Sequence, residues 1–192
     1  MEQKQVRIFE NETLEKLSKT HPIIPLLFWT PVMLILFTKA WGTLSLLEVF
    51  SFCVLGILIW TLVEYLLHRF IFHFEGGGKL TKRIVFMMHD NHHIAPTDWL
   101  RGVMPVLPGV LIGLPLYALW NVFFGIEQSL IGMGGMIFGY LCYDYLHYSF
   151  HHFNLEWKWW RKIRRNHLKH HVDHNSLYGV SNPFWDYIFS TY

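Results

Sequence analysis

LSLLEVFSFCVLGILIWTLVEYLLHRFIFH, residues 44–73, is the stretch that decides the architecture. Residues 44–67 form an apolar run, and a helix needs about 20 such residues to cross a bilayer core. The run ends in His68 and His73. Residues 129–151, SLIGMGGMIFGYLCYDYLHYSFH, repeat the plan and end in His147 and His151. Further on, MHDNHH (88–93) carries His89, His92 and His93, and NHLKHH (166–171) carries His167, His170 and His171. The step between equivalent histidines is 79 residues for His68 to His147 and 78 for the other four pairs. A fixed period of this kind marks an internal duplication. Each half supplies five histidines, with a one-residue slip at the first.

Twelve of the 13 histidines lie between His68 and His174. Neutral imidazole is the commonest metal ligand. Ten exceed what one six-coordinate ion can take, so a two-metal centre is expected. On a helix, positions i, i+3 and i+4 share a face, so each H-x2-HH triple is expected to point into one pocket. His147 and His151 align in the same way. His68 and His73 are five apart, about 140° round an ideal helix. Either they serve different metals or the backbone there departs from α. His21 lies outside the repeat, His152 has no counterpart in the first half, and neither is expected to be a ligand. His174, at i+7 from His167, is a supporting or substrate-contact candidate. Sulfur ligands are absent from the pattern. Five imidazoles per ion suit iron with one position open, and zinc can replace iron on purification.

Ligand imidazoles usually donate their second N–H to a carboxylate or carbonyl. Glu64 and Asp144 stand in apolar runs, where an ionisable group signals function. With Asp186, and Tyr148 beside His147, they are the candidates to support the ligands or touch substrate.

Composition sets the surroundings. Of 192 residues, 52% are hydrophobic and only 16% charged, against about 25% charged in an ordinary soluble domain. The expected fold is an all-α integral membrane protein with spans at about 23–38, 44–67, 103–124 and 129–148. These pair into two hairpins below a histidine-rich helical cap. Residues 1–22 are a polar N-terminal segment without the pattern of a secretory signal, and 23–192 form a single domain. Fifteen of the 16 Lys and Arg residues fall in segments 1–22, 68–102 and 149–192. The positive-inside rule then places the cap and both termini in the cytoplasm, in a bacterial inner membrane or the endoplasmic reticulum. Cys53 and Cys142 lie in apolar runs and form no disulfide framework. Gly135 and Gly139 mark close helix packing. Gly76, Gly77 and Gly78 lack the context of a phosphate loop. EWKWWRKIRR, residues 156–165, reads as an interfacial helix with Trp157, Trp159 and Trp160 among lipid headgroups; no nucleic-acid partner is expected.

The boxes resemble the fatty acid hydroxylase superfamily (sterol desaturase-like), and more narrowly the fatty acid 2-hydroxylases that act on sphingolipid acyl chains. The resemblance rests on Glu64 to His73, on Met88 to His93 with Ala95 and Pro96, and on Gly139 to His151. His167 to His174, and Gly179 to Phe189 with Trp185 and Asp186, complete it. It covers about residues 60–192. It implies a non-haem di-iron monooxygenase with four membrane helices, whose ligands are the ten histidines of the repeat. O2 is the co-substrate and a membrane lipid acyl chain, at its 2-position, the substrate. His21-Pro22-Ile23-Ile24 is not the His-Pro-Gly-Gly haem motif of members with a fused cytochrome b5 domain. The expected electron donor is therefore a separate protein of cytochrome b5 or ferredoxin type. Asp90 stands where the compared 2-hydroxylases carry glycine. Desaturation, or hydroxylation of a sterol or carotenoid, is the alternative within the superfamily. A metal transporter or a metal-stabilised scaffold is the alternative outside it.

Overall fold

The computed structural model describes residues 6–192, and all regular structure among the described residues is helical. The elements run α1 (Glu12–Leu17), α2 (Ile23–Lys39) and α3 (Leu46–Leu67), the last continued by a π-turn (His68–Phe72). Next come α4 (Lys79–Val85), a second π-turn (Phe86–Asp90) and α5 (Asn91–Ile94). The chain closes with α6 (Val106–Phe123), α7 (Ile126–His152), α8 (Lys158–His170) and α9 (Phe184–Ile188). The four apolar runs thus coincide with α2, α3, α6 and α7 to within a few residues, except that α7 continues to His152. Two helices are long and apolar enough to cross a membrane, Leu46–Phe72 and Val106–Phe123, and Ile23–Lys39 is apolar but shorter. Pro105 caps α6, while Pro31 and Pro115 lie inside α2 and α6.

The chain divides into two compact units. One comprises Ile23–Thr61 and Met104–Cys142. Its helices are apolar on every side, and Leu34, Phe50, Leu111 and Val122 are all more than half exposed. Exposed apolar surface on this scale marks a face that meets lipid or another protein surface. Its interior is an aromatic seam in which Tyr140 meets Trp29 and Trp60 edge-on at 6.0 and 5.4 Å. Small residues let α3 and α7 approach closely. A Cβ on Gly135 would lie 2.2 Å from the Cys53 carbonyl oxygen, and one on Gly139 would lie 3.0 Å from Trp60. The expected packing role of this glycine pair is met.

Among the described residues the other unit comprises 6–22, Leu62–Val103 and Tyr143–Tyr192, and it holds the ten repeated histidines. Residues 6–22 are tied down within it. Asn11 caps α1 by accepting from the Thr13 and Leu14 N–H groups. Buried Glu15 accepts from the Ile8 and Phe9 N–H groups and pairs with Arg101 at 2.6 Å. Arg101 also donates to the Ser18 carbonyl and hydroxyl oxygens. Trp160 corrects an expectation. It lies 1% exposed, not at a headgroup surface, with its indole N–H donating to the Ser149 hydroxyl. Position decides this: Trp160 shares the inner side of α8 with His167 and His170, whereas Trp157 and Trp159 are exposed.

Candidate metal centre

The slip in the repeat has a structural cause. α3 gives way at His68 to a π-turn, whose i→i+5 bonding brings residues five apart over one another. His68 and His73 therefore meet, Nε2 to Nε2, at 3.3 Å. In the second half α7 runs on as a regular helix, and His147 and His151 achieve the same convergence at a spacing of four. The first half carries one more residue between its paired histidines, and the π-turn absorbs it.

The ten imidazoles form two clusters of five, each with its nitrogens within 4.8 Å of one another. His68, His73, His89, His93 and His170 make the first; His92, His147, His151, His167 and His171 make the second. Each half contributes four histidines to one cluster and one to the other. The exchanged pair, His92 and His170, are equivalents in the repeat. The expectation that each triple shares one pocket is therefore corrected. Adjacent residues on a helix diverge by about 100°, so His92 and His93 cannot face one point. His89 and His93 stay together, Nε2 atoms 2.9 Å apart, while His92 turns to His147 at 2.8 Å. In the second half His167 and His171 stay together at 3.0 Å, and His170 turns to His73 at 2.9 Å.

Tautomers follow from the partners. His68 Nδ1 lies 2.6 Å from the Tyr178 carbonyl oxygen, and His170 Nδ1 lies 2.7 Å from that of Ser176. A carbonyl only accepts, so both Nδ1 atoms carry the proton and both Nε2 atoms present lone pairs to the cluster. Burial, reinforced by neighbouring imidazoles, lowers the pKa of His73 to about 3 and of His171 to about 4. Burial likewise lowers His170 to about 4, although its bond to Ser176 acts the other way. His89, His92 and His167 are pushed well below the usual range for the same first reason. At neutral pH these rings are uncharged ligands, crowded lone pair to lone pair.

The donor set fits a metal ion. At a metal–nitrogen distance of about 2.1 Å, ligands at right angles lie about 3.0 Å apart and tetrahedral ones about 3.4 Å. The closest Nε2 separations run from 2.7 Å (His151 to His167) to 3.3 Å (His73 to His68). All five nitrogens of each cluster lie within 4.8 Å of one another, the scale of the ligand shell around a single ion. Five donors per cluster also exceed what a closed tetrahedral site takes.

The supporting groups differ from expectation. Glu64 accepts from the Ser181 N–H and hydroxyl at 2.7 and 2.6 Å. Asp186, fully buried, accepts from the Tyr178 and Gly179 N–H groups and the Thr191 hydroxyl, at 2.8, 2.9 and 2.8 Å. These carboxylates grip the segment 178–181, and its Tyr178 carbonyl oxygen accepts from the His68 Nδ1–H. They act on the cluster through main chain. Gly179 is required there, since a Cβ would lie 2.2 Å from the Asn182 carbonyl oxygen. The Tyr178 and Ser176 carbonyls escape sequence reasoning because main-chain acceptors carry no side-chain signature; the Gly179–Ser181 box was the only pointer. Asp144 is buried within α7. Tyr148 stacks on His152 at 4.1 Å, and neither belongs to a cluster. His174 stands beside the first cluster, its ring 4.5 Å from His93. His21 meets Trp99 edge-on at 5.4 Å and belongs to neither cluster. A cleft of about 740 Å³ opens beside the first cluster, with His73, His93, His174 and Asp90 in its wall.

Two clusters of five imidazoles, each borrowing one histidine from the other half of the repeat, define a histidine-box protein of duplicated design. The family model "Fatty acid hydroxylase" matches residues 53–191, and the chain belongs to that family. It is 37% identical over 184 residues to the ceramide very long chain fatty acid hydroxylase SCS7 of Saccharomyces cerevisiae, covering 93% of this chain and 47% of that protein. Identity to the dihydroceramide fatty acyl 2-hydroxylase FAH2 of Arabidopsis thaliana is 31%, covering 96% of this chain and 79% of the relative. Identity to the fatty acid 2-hydroxylase of Homo sapiens is 32%, covering 97% and 56%. The chain thus spans about half the length of the yeast and human relatives. A solved structure described as full-length scs7p with only the hydroxylase domain visible superposes with a TM-score of 0.89 at 36% identity, covering 96% of this chain and 70% of that one.

Proposed function

We propose that the chain hydroxylates the acyl chain of a membrane lipid, at the carbon next to the carbonyl, with O2 and electrons from a donor protein of cytochrome b5 or ferredoxin type. The exchange of His92 and His170 between the two clusters carries this reading, because it makes two five-donor sites that form only together. His68, His73, His89, His93 and His170 would hold one iron, and His92, His147, His151, His167 and His171 the other. When bound, the two irons supply the redox chemistry that activates oxygen.

The protein's own contribution is placement. The Tyr178 and Ser176 carbonyls hold two imidazoles in the ligating tautomer. Glu64 and Asp186 hold the segment that carries the first of these carbonyls. The cleft lined by His73, His93 and His174 admits small reactants to the first cluster. Residues 23–192 act as one membrane domain, with α2, α3, α6 and α7 as four spans and the histidines and both termini on the cytoplasmic side. The charge asymmetry and the apolar helix surfaces support this topology.

Lipid extracts from expressing cells, analysed by mass spectrometry beside a metal assay on the same preparation, test the reading. The parent is expected to yield a lipid heavier by one oxygen and to carry iron. His92→Ala and His170→Ala should each abolish product and lower metal content, while His21→Ala does neither. No oxygenated lipid from an iron-loaded parent would overturn the activity. Full metal content in both cluster variants would overturn the ligand assignment.

A further inference from the structure

The outward side of α8 carries a charged cleft that the proposed chemistry does not use. Arg161, Arg165 and Lys169 recur every four residues and line one stripe of the helix, and all three are exposed. Lys158 and Lys162 extend the stripe and are exposed as well. Trp160, Asn166, His167 and His170 are buried on the opposite side. The stripe borders an open cavity of about 760 Å³, whose wall also includes Leu168 and the buried Leu177. Few anions answer these cations. Glu156 meets Arg161 at 3.5 Å with both side chains exposed, where screening leaves little net attraction. Asp173 also lines the cleft, but its carboxylate already accepts from the Asn175 N–H and the Ser176 hydroxyl. Arg164 is spent inward on the Phe150 carbonyl.

What lies behind the cleft matters as much as its charge. α8 places His167 in the second cluster and His170 in the first. A helix with its side chains is about 10–12 Å across. A partner seated on the outer side of α8 therefore stands about one helix width from both clusters.

We infer that this basic cleft of α8 is the docking surface for an acidic one-electron carrier protein. The inference rests on the oxygenase reading above, in which O2 and one C–H bond become C–OH and water on receipt of two electrons and two protons. The carrier delivers the electrons one at a time, and its oxidised form departs. Charge complementarity sets the partner: a cationic concavity steers and orients an anionic protein surface. A lipid surface is the poorer match, because the cations ring a concavity while Trp157 and Trp159 lie outside it.

The test uses the full chain in detergent with two acidic probes, a soluble cytochrome b5 domain and a plant-type [2Fe–2S] ferredoxin. The variants are Arg161→Glu/Arg165→Glu/Lys169→Glu and, as a control on another exposed surface, Lys79→Glu. Metal content and circular dichroism establish that each is folded. Where the triple reversal does not fold, Arg165→Gln/Lys169→Gln replaces it, and a smaller loss of binding in the same direction is expected. The parent should bind at least one probe, weakening as salt rises from about 0.05 to 0.5 M. The triple reversal should weaken binding about tenfold or more, with Lys79→Glu unchanged. Product formation driven by a chemical reductant should be the same in the triple reversal as in the parent. Probe binding by the triple reversal equal to the parent's, no binding of either probe to the parent, or loss only of binding to anionic phosphatidylserine vesicles would overturn the inference. No product from the chemically reduced parent would instead overturn the oxygenase reading, and the binding data would still decide the docking surface.

Discussion

Asp186 offers the sharpest perturbation, because it touches no imidazole yet governs one. Its Oδ1 accepts from the Tyr178 N–H and the Thr191 hydroxyl, and its Oδ2 from the Gly179 N–H. In Asp186→Ala the Thr191 hydroxyl keeps the Tyr65 hydroxyl as a neighbour at 3.0 Å, but two main-chain N–H groups are left buried and unpaired. At about 1–3 kcal/mol for each such group, the loss is about 2–6 kcal/mol, a large part of a typical folding stability of about 5–15 kcal/mol. Asp186→Asn is the more discriminating change. It can keep the oxygen facing Tyr178 and Thr191 and set an amide N–H against the Gly179 N–H, a cost of about 1–3 kcal/mol. The strain falls on segment 178–181 and so on the Tyr178 carbonyl that orients His68. Loss of such a supporting contact lowers metal affinity about 10- to 100-fold. His68 belongs to the first cluster only, so one ion should be released to a chelator more readily while the other is retained. Metal content after graded chelation, beside a urea unfolding curve, measures both effects. Equal loss of both ions, or lowered stability with unchanged metal affinity, would refute the chain of contacts from Asp186 to His68.

Further outcomes follow from other parts of the molecule. Gly135→Val should lower the thermal midpoint by overpacking against the Cys53 carbonyl, at a cost of about 1–3 kcal/mol or more, while metal content of the folded fraction stays unchanged. Arg101→Ala removes the closer of the two cations that pair with the buried Glu15 carboxylate, leaving Lys19 at 3.5 Å, and should cost about 1.5–3 kcal/mol, read by chemical unfolding; Arg101→Ala/Glu15→Gln should recover part of it. Metal-free protein should lose stability as pH falls below about 6.5, the imidazole value of the unfolded chain. His73, His170 and His171 have folded values lowered to about 3, 4 and 4, so the unfolded chain takes up protons first. The loss should level off only as pH falls past the folded values. Urea midpoints measured against pH after chelation check this, and a midpoint that rises on acidification would contradict it.

Much of the site is legible in the sequence. Hydropathy located α2, α3, α6 and α7, because an apolar run of helical length states its own environment. The repeat isolated ten histidines and set aside His21, His152 and His174, and the clusters contain the same ten. Other features were beyond reach. Trp160 reads like its neighbours Trp157 and Trp159 in a string of aromatic and basic residues, and only the rotation of α8 buries it. Glu64 and Asp186 were legible as functional carboxylates, yet their partners are main-chain groups that no residue letter reports.

The sequence by itself determined the apolar helices, the duplication, and the number and identity of the clustered imidazoles, because periodicity and composition are local properties. Tertiary structure alone decided how those imidazoles divide. Adjacent side chains on a helix point about 100° apart, so His92 had to leave His93 and His170 had to leave His171. Which cluster each joined depended on where the other half of the chain lay. Likewise, the one-residue slip between the halves was visible as a number, but only the backbone showed a π-turn at His68–Phe72. That turn lets a spacing of five do the work that a spacing of four does in α7.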